Sequence, residues 1–423
     1  MTAAAPVDTG RPDMAALAAE LDAADPLAEH TRRFVREGDV VAYLDGNSLG
    51  RPLADLPGRF ARFIGDEWGT RLIRRWDEAW MRRPYDLGDR IGALVGAAAG
   101  QAFIGDSTTV LLYKLARAAV DARPGRTEIV IDDDSFPTDR FVVEGIAAER
   151  GLTVRWIRVD RAAGVTLEQV EAAVGEQTAL VLLCHVAYRS GFVADVPGIT
   201  AAAHAAGALV LWDLCHSAGV LPVGLDAAGA DLAVGCTYKY LNGGPGSPAF
   251  GYVRADLQGA LEQPIQGWMG AAGVFDMADR YQPAPGIGRF LSGTPPVLAT
   301  VALEAMLELL EQVGIDAVHR KSVALTDFAE QALAAHVLPL GEEGQRAMMA
   351  SPVAGPHRGS HLTVTHPSFR EVNARLWERG VIGDFRAPDG IRIGLSPLST
   401  TFAEVELGIA LLGEELRAAL AKG

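Results

Sequence analysis

Between about residues 58 and 300, apolar runs of strand length alternate with alanine-rich stretches of helical spacing. The clearest runs are TEIVIDD (127–133), TVRWIRVD (153–160), TALVLLCHV (178–186), ALVLWD (208–213) and DLAVGCTY (231–238). Several are apolar at successive positions, without the period of two that marks a half-exposed strand. That is the pattern of parallel strands covered by helices on both faces. The repeated strand and helix order predicts a doubly wound α/β domain with a mostly parallel sheet. Upstream, residues 11–37 read as a helical stretch, with Met14, Leu17, Leu21 and Phe34 among charged positions. The VVAYLDGNSLGRP that follows is loop, because Gly46, Asn47, Gly50 and Pro52 favour turns. After about residue 295 the pattern changes to a long helix, PPVLATVALEAMLELLEQVG, and then to an α+β mixture ending in an amphipathic helix. The expected organisation is an N-terminal helix and loop (1–57), a large α/β domain (58–300) and a smaller α+β C-terminal domain (301–423). No internal repeat, low-complexity tract or heptad pattern interrupts it.

Composition narrows the function classes. The chain has 423 residues, 49% of them hydrophobic, more than one core usually accommodates. Lys and Arg number 38 against 53 Asp and Glu, a formal charge of -15, so the surface lacks the cationic excess that nucleic acid or anionic lipid attracts. The acidic start and the lack of any long apolar block predict a soluble, cytoplasmic protein. Three cysteines, Cys184, Cys215 and Cys236, fall in strand-like stretches and suit reduced thiols; their spacing and that of the histidines predicts no metal site.

The chemistry concentrates in ALVLWDLCHSAG and the later GCTYKYLNGGPGSPAFGYV. Ligands of open α/β sheets sit beyond the carboxyl ends of the strands, where Asp213 and Lys239 both fall. Taken singly, Asp213 also fits a helix cap and Lys239 a solvated loop lysine. Together, with Tyr238 beside the lysine and a glycine-rich turn after it, they supply two requirements of a pyridoxal 5'-phosphate enzyme: an amine for the Schiff base and an anion at the ring nitrogen. The remaining requirements also have candidates. Thr108 and Thr109 open an apolar-periodic helix and suit the phosphate, although a simple N-cap explains them equally. In DDDSFPTDR, Phe136 is placed to lie against the ring, Pro137 fixes the turn, and Thr138 and Asp139 come within reach of ring substituents. His216, three residues past Asp213, is placed to lean over the cofactor, with a packed core histidine as the competitor. Arg392 stands in the apolar strand of DGIRIGLSPLST and needs an anion; a substrate α-carboxylate is the expected partner over an internal salt bridge.

YLDGNSLGRP, DSFPTDRF, WDLCHSAG, TYKYLNGGPG, GTPP (293–296) and IRIGLSPL together resemble the kynureninases, fold type I pyridoxal-phosphate enzymes related to the class V aminotransferases. The matching motifs run in order from about residue 43 to 400. The resemblance implies hydrolysis of L-kynurenine, with 3-hydroxykynurenine as a second candidate substrate, to anthranilate and L-alanine. By position it implies Lys239 as the Schiff-base lysine, with Asp213 and Tyr238 as its catalytic partners. Thr108, Thr109, Phe136, Pro137, Thr138, Asp139, His216, Trp268 and Thr294 complete the implied cofactor shell. Trp268 and Thr294 match positions that reach the phosphate from a partner subunit, which implies a homodimer with shared sites. Asn47 and Ser48 line the implied substrate pocket and Arg392 clamps the carboxylate. WDEAWMRRPYDLGDR lacks the histidine that animal members place near the substrate ring, which favours unsubstituted kynurenine and leaves Trp80 or Tyr85 as an aromatic wall.

Other readings remain open at this point. A class V aminotransferase or a lyase for another amino acid uses the same Asp213, His216 and Lys239, and an inactive relative serving as a binding subunit keeps the same fold. A cysteine desulfurase wants a nucleophilic cysteine on a late loop, and no cysteine follows Cys236. A nicotinamide enzyme wants G-x-G-x-x-G between strand and helix, which is missing.

Overall fold

The computed structural model describes residues 13–36 and 38–422. Its centre is a seven-stranded sheet: β1 (Ala102–Gly105), β2 (Glu128–Asp132), β3 (Thr153–Ile157), β4 (Thr178–Cys184), β5 (Leu209–Asp213), β6 (Leu232–Gly235) and β7 (Ala249–Val253), in the spatial order β1-β7-β6-β5-β4-β2-β3. Only β7 runs against its neighbours; the contiguous block from β6 to β3 is parallel throughout. Alternate residues of one strand enter different cores. Val181 and Leu183 of β4, with Val210 and Trp212 of β5, join one cluster. Leu180 and Leu182, with Leu209 and Leu211, join another. Both faces are therefore dry, which is why the sequence runs are apolar at every position. Strand β3, at one edge, is the exception, alternately exposed and half-buried up to Ile157, whereas β1 at the other edge is buried throughout.

A smaller sheet of four strands orders Asp384–Arg386, Gly390–Gly394, His361–Thr365 and Met348–Met349, all antiparallel. Leu362, Val364, Ile391 and Ile393 share a third core with Leu325 and Phe328 of the helix Ile315–His336 and with Val405 and Ile409 of the helix Phe402–Leu420. Met14 and Ala18 belong to the same core, so the N-terminal helix packs on the C-terminal unit. The helix Val301–Val313 buries Leu303, Met306 and Leu310 with the large sheet.

The first helix is shorter than the pattern over 11–37 predicts. It spans Met14–Ala24, capped by the Asp13 carboxylate, which accepts from the amides of Ala15 and Ala16 at 3.1 and 3.2 Å. Pro26 disfavours helical backbone at Asp25, which is extended, and the helix stops there. The chain resumes as a 3-10 helix, Ala28–Arg33, and Phe34 then bridges to Leu53. Residues 11, 12 and 37 lie outside the described residues.

Candidate active site

Asp213 is the last residue of β5, between Cys184 at the end of β4 and Val234 of β6 in register. Its Oδ1 accepts from the amide of Cys215 at 2.7 Å, which fixes the carboxylate on the rim. Strand β6 ends at Gly235, and a tight loop carries Lys239 back over that rim. The Asn242 amide donates to the Lys239 carbonyl (3.0 Å) and the Gly243 amide to the Thr237 carbonyl (2.8 Å). A Cβ on Gly243 would stand 2.3 Å from the Ser247 hydroxyl, so this close approach requires glycine.

Lys239 and Asp213 line one pocket. Phe136, Thr138, Asp139, His216 and Tyr238 line it as well, as do Thr108 and Thr109 at the head of the helix Thr108–Asp121. No side chain caps that helix start, so its first-turn amides face the pocket mouth as an anion site. Asp106, just before that helix, pairs with the buried Lys114 at 3.0 Å. The chain has four lysines. Lys114 and Lys321 are buried against Asp106 and Asp25, and Lys422 is exposed in the final turn. Lys239 alone lines this pocket, 3.2 Å from His216 Nε2 and 5.8 Å from the Phe136 ring centre.

The electrostatics suit a ring held between these groups. Burial and the nearby Asp213 carboxylate push the Asp139 carboxyl well above the usual range. Cys184 lies between the two, its Sγ 3.3 Å from Asp139 Oδ2 and 3.6 Å from Asp213 Oδ2, and burial raises its pKa strongly. These three have metal-ligating spacing, within 4.8 Å of one another. Their place beside Lys239 and the uncapped helix equally fits a cationic ring nitrogen between two carboxylates. His216 is held neutral by burial and by the Lys239 charge. Burial also raises the Tyr238 phenol, which keeps its proton.

On the small sheet, Arg392 is 1% exposed and ion-paired to Asp384 through Nε (2.5 Å) and Nη2. The internal salt bridge, the alternative to a substrate carboxylate, is thus present in the structure. Asp384 faces Arg392 directly across the ladder, and an arginine this buried needs a counter-ion. Arg392 also donates to the Tyr188 carbonyl (2.6 Å) and to Ser48 Oγ (2.9 Å). Ser48 is thereby joined to Arg392, while Asn47 is fully buried beside Gly394.

Residues 101–358 match the family Aminotransferase class-V, and residues 318–412 match the Kynureninase C-terminal domain. The kynureninase of Pseudomonas fluorescens is 42% identical over 408 residues, covering 94% of each chain. The chain belongs to the kynureninase family. A second relative, the kynureninase of Burkholderia pseudomallei, is 42% identical over 390 residues and 91% of each chain. Among solved structures, the fold is similar to an apo cysteine desulfurase from Thermococcus onnurineus NA1 (TM-score 0.77, 18% identity, 90% of this chain and 96% of that one). It is likewise similar to a cysteine desulfurase from Escherichia coli (TM-score 0.76, 18% identity, 94% and 98%). At that identity the likeness carries the fold alone.

Four residues inferred from the kynureninase resemblance lie away from the pocket. Trp80 packs with Phe63, Val297 and Val301 in a separate cluster, and Tyr85 packs against the core under β1, so neither lines this pocket of its own chain. Trp268 and Thr294 are exposed and outside the pocket of their own chain. Three residues near the site carried no assigned role: Cys184 between the carboxylates, Asp384 on Arg392, and His361, whose ring lies 5.5 Å from that of His216. A histidine inside the apolar run HLTVT gives the same signal that marked Arg392.

Proposed function

We propose that this chain hydrolyses L-kynurenine to anthranilate and L-alanine with pyridoxal 5'-phosphate held on Lys239. The convergence of Lys239, Asp213 and an uncapped helix start on one small pocket, in a kynureninase-family chain, carries the reading. When bound, the cofactor supplies an electron sink that stabilises negative charge on the carbons of the substrate amino acid.

The chain's own groups do the rest. The amides and hydroxyls of Thr108 and Thr109 hold the phosphate. Asp213 would keep the ring nitrogen protonated, with Asp139 close by in the same pocket. Phe136 would lie against the ring, with Pro137 setting its turn and Thr138 in the same pocket lining. Lys239 Nζ would hold the cofactor and, when not so engaged, would serve as the base for the substrate α-proton, with neutral His216 3.2 Å away leaving that amine able to accept it. Tyr238, protonated and half-exposed, passes a proton through its phenol oxygen as water adds to the aryl ketone. Arg392 and Ser48 face the carboxylate.

We further infer a homodimer, in which exposed Trp268 and Thr294 serve the partner's site; Trp268 stands beside exposed Phe275 in a surface stretch that suits burial against a second copy. The division 1–57, 58–300 and 301–423 then assigns Asn47 and Ser48, the cofactor floor and Arg392 to separate segments. The free thiols of Cys184, Cys215 and Cys236 support a cytoplasmic location. Among the described residues no helix is long and apolar enough to cross a membrane. The lack of a histidine in WDEAWMRRPYD supports a preference for unsubstituted kynurenine.

Incubating the protein and pyridoxal phosphate with kynurenine and 3-hydroxykynurenine separately, without a keto acid, tests the reading. Anthranilate and alanine in equal amounts, faster from kynurenine, are expected. Turnover only after a keto acid is added would point to an aminotransferase instead.

A further inference from the structure

The turn that carries Lys239 is tied to the loop that carries Ser48. The Gly50 amide donates to the Tyr238 carbonyl at 3.0 Å, and Asn242 donates through its side-chain Nδ2 to the Arg51 carbonyl at 2.8 Å. The backbone amide of Asn242 donates in turn to the Lys239 carbonyl at 3.0 Å. One residue thus holds the lysine turn with its backbone and the loop with its side chain. Asn242 is 3% exposed and packs closely on Gly50, where a Cβ would stand 2.3 Å from the Asn242 Cγ.

The other edge of the loop is fixed on the small sheet. The Gly46 amide donates to the Gly394 carbonyl (3.0 Å) and the Gly394 amide to the Leu44 carbonyl (2.7 Å), two residues beyond Arg392 on the same strand. Ser48 Oγ accepts from Arg392 Nη2 at 2.9 Å. The buried Glu404 carboxylate accepts from the Tyr43 amide at 2.8 Å and from the Arg51 guanidinium at 2.6 Å. Residues 43–51 therefore run from the small sheet to the lysine turn, and the bond from Asn242 to Arg51 closes the lysine end. Backbone shape alone does not call for asparagine there. Its φ of 46° lies in the left-handed region, which glycine enters at lower cost. What asparagine adds is the amide that reaches Arg51.

We infer that Asn242 is a positioning residue, whose side chain pre-orders the 43–51 loop so that Ser48 and Arg392 stand at a fixed distance from the Lys239 amine. The inference rests on the kynureninase reading, since it takes Ser48 and Arg392 to face a substrate carboxylate. An α-amino acid carries its carboxylate and its amine on one carbon, so the groups that receive them must keep a set spacing although they belong to different sheets. Without the tie, substrate binding has to order the loop, and that cost falls on affinity.

Steady-state kinetics and cofactor titration test this on the holoenzyme. Asn242→Gly keeps the backbone and removes the amide, so KM for kynurenine is expected to rise about three- to tenfold, as loss of one hydrogen bond does, with kcat within about twofold. Gly50→Ala drives a methyl into the Asn242 side chain and is expected to raise KM in the same way. Combined with Asn242→Gly, that methyl fills vacated space, so the double variant should be no worse than Asn242→Gly alone. Cofactor affinity should stay unchanged in all three. An unaltered KM in Asn242→Gly, a loss of cofactor affinity as large as the rise in KM, or additive effects in the double variant would overturn the proposal while leaving kynurenine hydrolysis by the wild type intact. If Asn242→Gly does not fold, Gly50→Ala decides alone, and an unaltered KM there overturns the proposal. A wild type that leaves kynurenine intact would overturn the kynureninase reading together with it.

Discussion

The rim of the large sheet and the polar face of the small one handle buried polar groups differently. On the rim, Asp213 accepts from the Cys215 amide, Cys184 stands between Asp139 and Asp213, and Lys239 contacts His216. On the small sheet, Arg392 is held by Asp384 and Ser48, while neither amide atom of Asn47 has a hydrogen-bond partner among the described residues. The contrast follows from the chemistry each region serves. A cofactor held through catalysis is best met by groups already locked in place, whereas a substrate that comes and goes needs donors that are not consumed internally.

Breaking the rim should cost most. Lys239→Ala removes the amine on which the rest depends, so its spectrum should lose the imine band and its kcat should fall by about 10³-fold or more. Asp213→Asn leaves the shape but removes the anion at the ring nitrogen, and steady-state kinetics should show about a 10²–10³-fold drop in kcat with little change in KM.

The small sheet should instead show its weakness in stability. Asp384→Asn leaves the buried Arg392 without its counter-ion and should destabilise the protein by about 3 kcal/mol in chemical denaturation. KM for kynurenine should rise more than kcat falls, because the guanidinium loses its anchor. A third contrast is in pH. Burial, and next the Asp384 charge, push the Asp45 carboxyl up to about 6. The folded state thus keeps a proton between about pH 4 and 6 that the unfolded chain has released, so stability falls as pH rises through that window. Asp45→Asn should flatten this dependence by about 1–3 kcal/mol, seen by comparing urea midpoints at pH near 4 and near 7.

What was legible in the sequence divides along the same line. The strand runs carry both faces of the large sheet in their composition, and Asp213 and Lys239 fall at strand ends, so the rim was readable from local pattern. Lys239 was placed less directly: β6 stops at Gly235, and the loop that returns the lysine is set by Gly243 and Asn242. The pairing of Arg392 was not readable, because Asp384 meets it through an antiparallel register that spacing does not reveal. Trp80 misled for a related reason. An aromatic residue in a polar segment looks like a pocket wall, and only packing against Val297 and Val301, over 200 positions away, shows it to be core. Cys184 reads as strand filler until the ends of two strands bring it between two carboxylates.

The account depends on Lys239 being the residue that holds the cofactor, with Asp213 in the same pocket. Borohydride reduction of the holoenzyme, followed by peptide mapping, tests this directly. The pyridoxyl label should fall on Lys239, within the peptide that contains TYKYLNGGPG, and be absent from Lys239→Ala protein. A label on Lys114, Lys321 or Lys422, or a cofactor never held covalently, would contradict it.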